Sequence, residues 1–89
     1  MSSRPNLELA NSRYYFNVDN GSVQLDHEGI DLPDLTAVRT VAIRLSGDIL
    51  RDGAADSLWV GVPWRLWVTT ADGKTLFTLI FSALEGAAR

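Results

Sequence analysis

Eighty-nine residues allow one small domain, and an apolar fraction of 46% is enough to give it a core. The chain has no cysteine, which excludes disulfides, thiolate metal sites and cysteine nucleophiles. A net charge of −3 with scattered basic residues argues against nucleic acid, whose phosphates require clustered Lys and Arg. No apolar run approaches the ~18 residues of a spanning helix and none resembles a secretory leader, so a cytoplasmic protein without membrane contact is expected.

Residues 1–12, "MSSRPNLELANS", show no sustained period and are expected to form a flexible arm. The alternation of Leu7 and Leu9 would suit an edge strand if that arm docked. Residues 13–82 are expected to form a single α+β domain and residues 83–89 a tail. "RYYFNV" sets Tyr14, Phe16 and Val18 against Arg13, Tyr15 and Asn17, the period of a half-buried strand. Asn20-Gly21 tolerates the positive φ of a tight hairpin turn, so "SVQLD" should return antiparallel with Val23 and Leu25 on one face. Glu28-Gly29 marks another turn, and "IDL" a short extended piece. Pro33 disfavours a helical Leu32, and Asp34 is placed to cap a helix beginning at the next residue.

That helix carries Leu35, Val38, Val41, Ala42, Leu45 and Ile49 as one apolar stripe, with Thr36, Arg39, Thr40, Ser46 and Asp48 on the remainder. Gly47 is costly inside a helix, and a closely packed neighbour would explain it. Gly53 is expected to cap the end. Pro63 cannot join a ladder, so the third main strand starts at Trp64 and residues 57–62 are a connector, with Trp59 placed to cover the edge of the core. Asp72-Gly73 makes the second hairpin turn. With Ala71 opposite Lys74, Val68 faces Phe77 and Leu66 faces Leu79. Leu66, Val68, Phe77, Leu79 and Phe81 then share the helix side; Trp67, Thr69, Leu76, Thr78 and Ile80 share the other. A bulged turn would swap some of these assignments.

The predicted fold is α+β in the order β-β-α-β-β: a four-stranded antiparallel sheet with one helix packed on one face. The runs "RYYFNVDNG", "DHEGIDLPDLTAVRTVAIRLSGDIL" and "WRLWVTTADGKTLFTLIF" resemble a family of short bacterial proteins known only as a domain of unknown function, the family numbered 6894. The matching positions are Tyr14, Tyr15, Phe16, Asp26, Glu28, Gly29, Leu32, Pro33, Asp34, Trp64, Arg65, Val68 and Gly73. The chain departs from the pattern in its N-terminal arm and at Thr70, where an acid is usual; His27 lies at an unspecified position. The resemblance supports the topology and implies no activity.

Asp26, His27 and Glu28 are consecutive, so on a strand the imidazole points away from both carboxylates, which is poor metal-ligand spacing. Their expected role is to shape a turn, with no metal and no cofactor. Ser22, His27 and Asp31 make a nominal nucleophile set without an identifiable oxyanion hole, and no phosphate-binding or nucleophile-elbow motif is present, so the chain is expected not to be an enzyme. Trp64 and Trp67 lie three apart and point to opposite faces, one into the core and one onto the uncovered side. One helix cannot cover both faces of a sheet. A homodimer through the open face or edge is therefore expected, with Tyr15, Arg65, Trp67, Leu76 and Ile80 as interface and an unidentified protein as the other occupant. A ligand-sensing or antitoxin-like regulatory module is the alternative.

Overall fold

The computed structural model describes residues 11–53, 56–84 and 86. The expected arm and tail fall largely outside them, as does the docking of Leu7 and Leu9. Strand β1 (Ser12–Asp19) is followed by β2 (Val23–Gln24), β3 (Ile30–Leu32), helix α1 (Leu35–Arg51), a 3-10 turn (Asp56–Val60), β4 (Trp64–Thr70) and β5 (Thr75–Phe81). The strands form one antiparallel five-stranded sheet in the order β2-β1-β4-β5, with β3 also paired to β1.

The expected pair of hairpins is present, and one strand of each, β1 and β4, sits at the centre of the sheet. In the first, Asp19 lies opposite Val23, so Asn20, Gly21 and Ser22 make the turn. The Asp19 and Asn20 side chains accept from the Gly21 and Ser22 amides at 3.0 and 3.3 Å, the local bonding that favours Asp and Asn in turns. The returning strand is short because the chain swings away after Gln24; Val23 and Leu25 stay exposed. The extended "IDL" comes back to β1 as a fifth strand, Leu32 opposite Ser12 and Ile30 opposite Tyr14.

Asp34 caps α1 as predicted, its carboxylate accepting from the Ala37 amide at 2.8 Å. At the other end the Asp52 amide donates to the Asp48 carbonyl, and Gly53 comes next at φ +82, the left-handed stop. The buried face of α1 runs through Val38, Ala42 and Ser46. These positions form one i, i+4 row, so the burial axis lies beside the predicted stripe: Ser46 is inside, Leu35 at the exposed margin. Among the described residues nothing lies within 4 Å of a side chain built at Gly47, so none of them is the packed neighbour expected for that glycine.

Val38 and Ala42 meet Phe16, Trp64, Leu66 and Val68 from the sheet, with Tyr14, Val18, Leu45, Leu58 and Phe81 around them. Trp64 stacks on Phe81, the ring centroids 4.5 Å apart. The tryptophan of the connector does not cover this core: Trp59 is 66% exposed, and Leu58 packs there instead.

The second hairpin holds the predicted register, Leu66 opposite Leu79 and Val68 opposite Phe77. Nearer the turn, Thr69 pairs with Thr75, so Leu76 is an extra residue in a β-bulge. The bulge reverses one face assignment. Leu76 stands with α1, beside Leu35 and Ile43, and Thr75 takes the open-face place beside Trp67.

Candidate functional site

The open face is ruled by cross-strand rows. Tyr15 lies opposite Thr69, Asn17 opposite Trp67 and then Thr78, and Asp19 opposite Arg65 and then Ile80. The sheet thus gathers Tyr15, Arg65, Trp67 and Ile80 from the expected interface and leaves Leu76 out. The face is also more polar than its pattern suggests. Arg65 Nη2 donates to Asp19 Oδ2 at 2.6 Å, and that bond, with the Gly21 amide, holds the Asp19 carboxyl below its ordinary range. The guanidinium is therefore already engaged, and Thr69, Thr75 and Thr78 surround Trp67 with hydroxyls.

Asn17 lies at the centre of this face and is 4% exposed. Its Nδ2 donates to the Trp67 carbonyl at 3.2 Å and to Thr69 Oγ1 at 3.3 Å, while Oδ1 accepts from the Asp26 amide at 3.0 Å. A buried amide with both ends used is a fixed structural joint.

Asp26 also holds β1 through its side chain. Its carboxylate accepts from the Phe16, Glu28 and Gly29 amides at 3.1, 3.0 and 3.1 Å. Burial pushes the carboxyl up, but the Gly29, Phe16 and Glu28 amides together outweigh it and hold it below the ordinary value. Asp26 shapes the turn as predicted. Glu28 takes part through its backbone, its carbonyl accepting from Arg13 Nη1 at 2.6 Å, and His27 is exposed. Among the described residues no group of three or more His, Asp or Glu side chains gathers where it would hold a metal. Asp31 of the nominal nucleophile set is ion-paired with Arg13 at 3.0 Å, and its carboxylate is held in that pair.

Beside the sheet's outer edge lies a feature that strand periodicity does not reveal. α1 packs over β3 and β4 more than over β5, leaving a groove of about 400 Å³. Leu35, Arg39, Ala42 and Ile43 form its helix wall; Leu76, Phe77 and Leu79 form its floor and rim. Leu35, Arg39 and Ile43 recur every four residues, a row flanking the buried one, and that spacing is the one sequence signal for it. The Arg39 side chain has no ion pair or hydrogen bond among the described residues; the same holds for Arg44, outside the groove, whereas Arg13, Arg51 and Arg65 all pair with aspartates.

Sheet and helix together define a two-layer α+β domain with one open sheet face and a groove beside its outer strand. Residues 13–82 match the family model described as Domain of unknown function (DUF6894), and the chain belongs to that family. No curated protein and no solved structure matches it. No helix among the described residues is long and apolar enough to cross a membrane.

Proposed function

We propose that the chain is a small protein–protein interaction module that self-associates, two copies joining along β5. The observation that carries this is the strand itself: "TLFTLIF" holds no charge and no proline, and among the described residues nothing pairs with its outer side. Sheet edges in monomeric proteins are commonly blunted by Lys, Pro or inward charges, because a bare row of amides and carbonyls templates another strand. The bulge at Leu76 blunts only the start of β5. Beyond it, residues 77–81 are self-complementary about a twofold axis at Leu79, which sets Phe77 opposite Phe81 and Thr78 opposite Ile80. The engaged Arg65 and the threonines around Trp67 favour this edge over face-to-face stacking.

Light scattering behind size exclusion, repeated over a wide dilution range, tests the reading. The expected result is a dimer that Thr78→Lys shifts towards monomer by at least tenfold in concentration, while Trp67→Ala leaves it associated. Dissociation by Trp67→Ala would move the interface to the open face. A wild-type monomer at every concentration would refute self-association. The alternative, a ligand-sensing module, is favoured by a different observation, the groove between α1 and β5.

A further inference from the structure

We propose that this groove binds a small amphiphile, an apolar tail bearing one anionic head group of the carboxylate kind. The tail lies along Leu35, Ile43, Leu76 and Leu79, and the head pairs with Arg39. Ligand sites are concave, mostly apolar and oriented by a few polar groups, and a volume of about 400 Å³ falls within their usual range. The wall here carries a single charged residue, and among the described residues that charge is unanswered. Its helical neighbours Leu35, Thr36, Ala42 and Ile43 include no acid, and no carboxylate among the described residues pairs with it. The aliphatic stem of Arg39 suits the apolar wall while its guanidinium offers a paired donor to a carboxylate.

The sign and number of charges narrow the occupant further. One cation on a chain of net charge −3 suits a monoanion and gives a polyanion no second contact. A second copy is a poorer match, because it brings the same Leu35–Arg39–Ile43 row and hence a like charge. Leu76, Phe77 and Leu79 also belong to β5, so the helix wall, residues 35–43, is what separates binding in the groove from pairing along that strand.

Titration of the full-length protein with octanoate, followed by amide chemical shifts, tests it. Saturable shifts are expected at residues 35–43 and 76–79. Arg39→Gln should weaken octanoate binding by roughly tenfold, the scale of one charge-assisted hydrogen bond. 1-Octanol should bind the wild type more weakly than octanoate and be indifferent to Arg39→Gln. Ile43→Glu alters an exposed side chain, so the spectrum should stay dispersed while octanoate binding is lost. Unsaturable or scattered shifts, or an Arg39→Gln variant with undiminished affinity, would overturn the proposal. Shifts at residues 35–43 that track protein dilution and ignore octanoate would overturn it too, and would assign the groove to a second copy.

Discussion

The Asp26 carboxylate accepts the Phe16 amide at 3.1 Å, on the side of β1 where β2 has ended and β3 has not yet begun. β2 pairs with Val18 and Asp19, β3 with residues 12 to 14, and the strand between them meets a side chain in place of a third ladder. The acid thus completes the hydrogen bonding of a central strand and closes the turn that carries the chain towards α1.

Asp26→Ala leaves three amides without their acceptor, and a loss of about 2–4 kcal/mol is expected from urea unfolding at neutral pH. The same group gives an acid limb. Its folded carboxyl titrates below the ordinary 3.8, so its contribution is complete above that value and disappears as pH falls through the folded pKa. The stability gap between wild type and Asp26→Ala should be constant near neutrality and narrow below about pH 4. A gap that does not depend on pH would show that the carboxylate's charge is not what holds the turn.

Gly29 stands at φ +75, and a Cβ there would lie 2.7 Å from Arg13 Cγ and 3.0 Å from the Tyr14 carbonyl oxygen. The arginine stem can move, but the carbonyl belongs to β1. Left-handed backbone alone costs an L-residue roughly 1–2 kcal/mol. Gly29→Ala should therefore destabilise by about 2–4 kcal/mol, read as a fall in the urea midpoint with the slope unchanged.

Ser46 and Gly47 should respond in the opposite sense. The Ser46 hydroxyl is buried with no hydrogen-bond partner among the described residues, so Ser46→Ala removes an unsatisfied group and gains helix propensity. Gly47→Ala adds a methyl group that meets nothing within 4 Å. Each change should raise stability by about 1 kcal/mol. A lower thermal midpoint for Ser46→Ala would mean the hydroxyl has a role in the core that its lack of a partner conceals.

Asp34→Ala should cost about 1 kcal/mol, and Asp34→Ser much less, because serine can also accept the Ala37 amide. Equal losses in the two variants would point to charge at the helix start in place of the bond.

The order of elements was legible because each rests on local signals: period-two alternation in β1, β4 and β5, period 3.6 in α1, and Asn-Gly and Asp-Gly between strands. Asp34 was legible for the same reason, as capping is decided within one turn. What escaped depends on side chains crossing between segments. The pairing of β3 with β1 spans the Asp26 turn, and the bonds of Asp26 to Asn17 and Phe16 have no periodic trace. Leu76 changed face because one inserted residue breaks the alternation from which its face was read. Ser46 and the groove depend on where α1 rests across the sheet, which its own stripe sets only to within one row.

The two sides of the sheet are unlike in a way that limits its valence. Along β1 the outer boundary is cut into strands of 2 and 3 residues with a carboxylate between them, whereas β5 runs for 7. A boundary interrupted in this way offers no continuous row on which a further strand can grow. Strand addition at β5 would consume the one long open row among the described residues, which would make the proposed twofold pair a closed end point in place of a growing fibre.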